Sequence, residues 1–75
     1  MNRETVESTR LKITENPDYV ESIDQDKRTP LHWACSNKST DVAEVLIQNG
    51  ADINKKDEGG WSPLIIATKY IILVY

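Results

Sequence analysis

The segment Thr29-Pro30-Leu31-His32-Trp33-Ala34 is answered 33 residues later, without a gap, by Ser62-Pro63-Leu64-Ile65-Ile66-Ala67. Self-similarity at this period confines a chain to a stack of helical hairpins, an all-α solenoid in which each unit buries its apolar face only against its neighbours. The usual work of such a stack is to present a surface to another protein.

Each position of the repeat has a physical job. Thr29 or Ser62 caps an incoming helix with its hydroxyl, and Pro30 or Pro63 takes the first helical position, where no backbone donor is missed. Leu31, Ala34 and Cys35 fall on one face of this first, short helix, with the small residues where a partner helix comes close. The polar run Ser36-Asn37-Lys38-Ser39-Thr40 reads as a turn, with Ser39 or Thr40 able to cap a second helix. Val42, Val45, Leu46 and Asn49 then recur at helical spacing, and Gly50 supplies the left-handed residue that ends that helix. Lys38 stands where a glycine is common between the two helices, a small local strain. A complete unit therefore runs over residues 29–61.

Both flanks are partial. Subtracting one period from the second helix places its predecessor over residues 3–15, so residues 1–28 read as the second helix and finger loop of an earlier repeat, whose first helix is expected further upstream. Its apolar face is thin: Val6, Leu11, Ile13 and Val20, with Arg10 and Lys12 nearby. Residues 62–75 open the next repeat, but Tyr70-Ile71-Ile72-Leu73-Val74-Tyr75 stands where a polar turn is wanted. That tail reads as the result of truncation or out-of-frame splicing, with a genuine short variant as the alternative, and it is expected to be an uncovered apolar segment with strand preference and a tendency to aggregate. Units of this kind usually need three or more neighbours, so stability is expected to be marginal.

The residues now support a comparison. The string from Thr29 to Ala34, the closing Gly50-Ala51-Asp52-Ile53-Asn54 and the turn Asp57-Glu58-Gly59-Gly60 resemble the ankyrin-repeat consensus. More narrowly, Asp24 to Ser36 and Gly60-Trp61-Ser62-Pro63-Leu64 are similar to the early repeats of the gankyrin branch of that family, with Trp33 and Trp61 as the discriminating residues. The likeness covers roughly residues 16–67 and fails at both ends. It implies an ankyrin-repeat solenoid fragment with one complete repeat flanked by two partial ones. It also implies a chaperone that binds the C-terminal domain of a proteasomal ATPase subunit during regulatory particle assembly. On that implication Asp26 and Glu58 accept salt bridges, Arg28 donates one, and Trp33 or Trp61 gives apolar support. Trp33 equally reads as core, since it stands where the repeat normally buries Leu.

Enzymatic readings find no support. His32 and Cys35 lie three apart on a helix, as some activated thiols do. The family likeness instead implies a histidine that ties its ring to the capping threonine and neighbouring loops, beside a cysteine that fills a small buried slot. One His and one Cys are too few for a zinc site. Asp24-Gln25-Asp26 begins like a calcium loop but lacks its glycine and closing Glu. Gly59-Gly60 is a turn without the Lys-Ser/Thr pair of a phosphate loop. No cofactor, metal or small-molecule substrate is expected. The net charge of −3 argues against a nucleic-acid backbone as partner. The apolar tail is too short to span a bilayer, and with no signal segment and a single cysteine the expected setting is cytoplasm or nucleus.

What remains is a recognition surface. Asp24, Asp26, Lys27 and Arg28 in one finger align with Asp57, Glu58, Gly59 and Gly60 in the next, so acid recurs at both tips. Such a stripe suits spaced Arg or Lys on a partner. Two further readings stay open: a fragment of a longer ankyrin adaptor without independent activity, and an adaptor with an unrelated partner.

Overall fold

The computed structural model describes the backbone of residues 5–74 and the surroundings of side chains 5–68. Among the described residues, four α-helices and one 3-10 turn succeed one another: α1 Val6–Glu15, the turn Pro17–Glu21, α2 Pro30–Ser36, α3 Thr40–Gln48 and α4 Pro63–Val74. Among the described residues there is no strand. The order is all-α, and α1 lies one 33-residue period ahead of α3, as α2 does ahead of α4.

Local chemistry sets the helix starts. Thr5 caps α1 by accepting the Ser8 N–H at 3.1 Å, and Asn16 opens the 3-10 turn by accepting the Asp18 N–H at 3.2 Å. Thr29 caps α2 with Pro30 inside its first turn, and Ser62 Oγ accepts the Ile65 N–H at 3.2 Å ahead of Pro63. Gly50 ends α3 with φ of 93°, a conformation that an L side chain resists.

α2 packs against both α3 and α4, while α1 packs against α3 and the 3-10 turn. Val20, Leu31, Ala34, Val42 and Leu46 form the buried cluster, with Val6, Ile13, Tyr19, Cys35, Ala43 and Ala51 packed around it. Full burial of Leu31 and of Leu46 contributes roughly 2 kcal/mol each, so either is a point at which truncation would open the fold.

Several sequence expectations need correction. The first helix starts at Val6, three residues after the expected position. Leu11, expected on its apolar face, points outward at 64% exposure, whereas Thr9, one period before Val42 as the subtraction places it, is fully buried. The Thr9 hydroxyl donates to the Thr5 carbonyl at 2.8 Å, which is how a polar residue serves as core there. Ser39 stands at the cap of α3 without making a side-chain capping bond, and Thr40 already belongs to the helix. Asn49 lies just past that helix, its amide donating to the Val45 carbonyl at 2.8 Å. The chain after Lys69 departs from the repeat as expected, but as helix and not as a segment with strand preference: α4 runs to Val74, past the place matching the end of α2 at Ser36. Whether its apolar side chains are covered lies outside the described residues. No helix among the described residues is long and apolar enough to cross a membrane.

Candidate protein-interaction surface

The two finger loops are built by the same bonds. In the first, the Asp24 N–H donates to the Arg28 carbonyl at 3.1 Å and the Lys27 N–H to the Asp24 carbonyl at 3.0 Å. Asp24 Oδ1 accepts the N–H groups of Asp26 and Arg28 at 2.9 and 3.0 Å. One period later, the Asp57 N–H donates to the Trp61 carbonyl at 2.8 Å and the Gly60 N–H to the Asp57 carbonyl at 3.0 Å. Asp57 Oδ1 accepts the N–H groups of Gly59 and Trp61, both at 2.9 Å. Each carboxylate thus replaces the backbone acceptors that a tight turn cannot supply.

The same geometry demands a left-handed residue at one point of each loop. Gly60 fills it with φ of 85°, and Lys27, its counterpart one period earlier, fills it with φ of 60°. The loops are joined side by side, since the Glu58 N–H donates to the Asp26 carbonyl at 2.8 Å. That bond sets Asp26 and Glu58 next to each other, both exposed. Of the four acids, Asp24, Asp26 and Glu58 are exposed and Asp57 is partly buried, and Asp24 and Asp57 each spend an oxygen on the loop frame.

Arg28 ties the first finger to the second. Its guanidinium lies 4.5 Å from the centre of the Trp33 ring, its Nη2 donates to Ser36 Oγ at 2.7 Å, and its Nε stands 3.8 Å from Asp57 Oδ2. The last contact is an ion pair without a hydrogen bond, and Nε is buried without an acceptor. Trp33 in turn donates its indole N–H to Asp24 Oδ2 at 3.1 Å. The Arg28 N–H, as the largest effect, holds the Asp24 carboxyl below its ordinary value. Desolvation opposes this, while the Asp26 N–H, the Trp33 indole and the Arg28 charge reinforce it. Trp33 is consequently not core. It is 45% exposed, with its ring serving as a platform for Arg28.

Trp61 occupies the matching edge of the second finger at 43% exposure, with its ring against Gly59, where an added Cβ would come within 3.2 Å of it. Its carbonyl sits 2.9 Å from His32 Nε2. His32 is fully buried, and its Nδ1 accepts the Thr29 N–H at 2.9 Å. An accepting Nδ1 fixes the proton on Nε2, so the ring donates to the Trp61 carbonyl and pins the second finger to the cap of α2. Both ring nitrogens are engaged, which leaves no base for Cys35. Burial also pushes the Cys35 thiol up, toward the protonated form, although the residue is half-buried instead of filling a closed slot.

Of the residues singled out in the sequence, Arg28 and Trp33 come together as one stacked unit, Asp26 and Glu58 as adjacent tips, and Trp61 at the second finger's base. The framing roles of Asp24 and Asp57 were missed. Their equal spacing ahead of Lys27 and Gly60 was the available signal.

A family profile described as Ankyrin repeats (3 copies) matches residues 2–72, beyond both ends of the likeness expected from the motifs. The 26S proteasome non-ATPase regulatory subunit 10 of Homo sapiens is 45% identical over 58 residues, covering 77% of this chain and 26% of the relative. The protein of the same name from Dictyostelium discoideum is 48% identical over 65 residues, covering 76% and 28%. An ankyrin repeat-containing protein of Schizosaccharomyces pombe is 45% identical over 56 residues, covering 73% and 24%. The chain thus spans about a quarter of the length of these relatives.

Proposed function

The chain belongs to the ankyrin-repeat family, and from that premise we propose that it is a protein-binding module of the gankyrin kind that holds a proteasomal ATPase subunit during regulatory particle assembly. Ankyrin repeats are protein-interaction modules, and relatives named as proteasome regulatory subunits support the finer reading. The observation that carries it is the backbone bond from Glu58 to Asp26, which sets two exposed carboxylates side by side on successive fingers.

On this reading Asp26 and Glu58 receive spaced Lys or Arg from the partner's C-terminal domain, a contact that favours association rate and specificity. Arg28 has donors left after its bond to Ser36 and meets a partner carboxylate from its place on Trp33. The half-exposed indoles of Trp33 and Trp61 offer rigid apolar area on either side, the residue type that most often dominates binding energy. Catalysis has no part in the proposal. The complex would form in cytoplasm or nucleus, and it needs neither cofactor, nucleic acid nor membrane.

The test is capture of purified proteasomal ATPase C-terminal domains by the wild-type chain and by the Asp26→Lys/Glu58→Lys variant. Binding that weakens at least tenfold on reversal and falls with salt supports the proposal. Capture unchanged by the reversal removes the acidic fingers from it. A second reading, in which the chain is a fragment of a longer adaptor with no activity of its own, is favoured by the quarter-length coverage of the relatives. Helical circular dichroism without a cooperative melt is its signature.

A further inference from the structure

In the middle of the chain, α3 ends in a closed cap. Asn49 stands just past the helix and Gly50 follows with φ of 93°. The Gly50 N–H donates to the Ile47 carbonyl and the Ala51 N–H to the Leu46 carbonyl, both at 3.0 Å, the paired bonds by which a left-handed glycine finishes a helix. The Asn49 side chain joins them, since its Nδ2 donates to the Val45 carbonyl at 2.8 Å. Asn49 and Gly50 are nevertheless exposed to water.

An asparagine followed by glycine is also the pair most open to attack from its own backbone. With no Cβ at Gly50, nothing hinders the approach of its nitrogen to the Asn49 amide carbon once the chain there turns freely. The nitrogen bonds to Cγ and gives its proton to solvent, the Cγ–Nδ2 bond breaks, and ammonia leaves. Water then opens the resulting succinimide at either carbonyl, which gives aspartate or isoaspartate at position 49.

The cap opposes each part of this sequence. Asn49 has ψ of 19°, so the Gly50 nitrogen nearly eclipses the Asn49 nitrogen and is turned away from Cβ, whereas ring closure needs it on the Cβ side. Turning it there breaks the bond to the Ile47 carbonyl, and swinging Cγ to meet it breaks the bond to the Val45 carbonyl. Asn37 and Asn54 are exposed as well, but each is followed by a lysine, whose side chain crowds the attacking nitrogen.

We propose that Asn49-Gly50 is a deamidation site that the cap of α3 keeps shut, and that conversion, once the cap has opened, prevents it from closing again. In the product a carboxylate oxygen faces the Val45 carbonyl where a donor stood. The added negative charge falls at the C-terminal end of α3, where the helix dipole is already negative and the last turn holds no basic residue. Isoaspartate also lengthens the backbone by a methylene, which takes the Gly50 and Ala51 N–H groups out of register with their carbonyls. Val45 and Leu46 are buried in that last turn, so the complete repeat loses anchoring in the core together with its cap.

Mass spectrometry of digests follows the conversion of amide to acid in the 75-residue chain and in a synthetic peptide of residues 47–53, held in the same mildly alkaline buffer. The peptide, which has no cap, should convert at least tenfold faster than the chain, and the chain in urea should match the peptide. Asn37 and Asn54 should remain amides over the same period. Asn49→Asp should lose its helical circular dichroism at lower urea than wild type, and at lower urea than Asn49→Ala, which removes the donor without adding charge. Should either variant fail to fold, the converted fraction of aged wild-type chain, separated by charge, takes its place and should unfold at lower urea than the unconverted fraction. Equal rates for chain and peptide overturn the gating by the cap, and conversion at Asn37 or Asn54 as fast as at Asn49 overturns the part given to Gly50. An acid at position 49 that leaves the urea midpoint at the wild-type value overturns the consequence.

Discussion

Asp24 and Asp57, 33 residues apart, each turn Oδ1 back into their own loop to accept the backbone N–H groups two and four residues further on. Two carboxylates that looked like a binding stripe are thus the struts of the fingers that carry one. Removing a strut should disturb fold before recognition. Asp57→Ala is expected to cost about 1–3 kcal/mol, the scale for orphaning charge-assisted hydrogen bonds, read as a drop in the urea midpoint. Asp57→Asn, which keeps one acceptor, should recover part of the loss.

A pH dependence arises from the depressed Asp24 carboxyl. Its folded value lies below its unfolded one, so its contribution to stability is complete above the unfolded carboxylate range, near pH 4, and is lost as pH falls through the folded value. Urea midpoints measured from pH 6 downward should decline in acid for wild type. In Asp24→Asn that share of the decline should be missing, the two curves converging at the lowest pH. Parallel curves would mean that the Arg28 and Asp26 N–H groups do not hold the charged form.

The division between what the residues disclosed and what they hid has a physical basis. The helix starts at Thr29 and Ser62, the stop at Gly50 and the strain at Lys38 rest on bonds or dihedral limits within a few residues, and all are present. The exposure of Trp33 and of Leu11 depends on which neighbouring helices exist, which no local pattern states. The place of Trp33 is one where a repeat normally buries Leu, but the indole is half-exposed with Arg28 on its face. The acids divided into struts and tips because side-chain direction within a turn is set by backbone geometry, and the sequence carries that only as spacing.

His32 joins three pieces of the fold from a fully buried place. Its ring accepts from the Thr29 N–H and donates to the Trp61 carbonyl, so His32→Ala leaves a donor and an acceptor without partners and opens a cavity between the fingers. At roughly 1–3 kcal/mol per orphaned group, the loss is comparable to the whole stability of so small a stack. The expected outcome is a chain without a cooperative thermal transition by circular dichroism. The intrinsic fluorescence of Trp61 should shift to the red as its finger comes free. His32→Gln, which can restore one of the bonds, should melt between the two.

Lys27 and Lys38 are the two non-glycine residues in the left-handed region among those described, with φ of 60° and 58°. Holding a side chain there costs about 1–2 kcal/mol, whereas glycine gives up about 0.5–1 kcal/mol in unfolded-state freedom. The balance favours glycine by roughly 0.5–1 kcal/mol at each site. Lys27→Gly and Lys38→Gly are both expected to raise the urea midpoint, and their effects should add because the sites lie in separate loops. The reverse change at the matching place, Gly60→Lys, should lower it by a similar amount, since nothing stands within 4 Å of an added Cβ and the penalty is purely of the backbone. If Gly60→Lys is neutral while Lys27→Gly stabilises, the two fingers are not equivalent in energy although they share every bond of the frame. The repeat would then be a likeness of geometry alone.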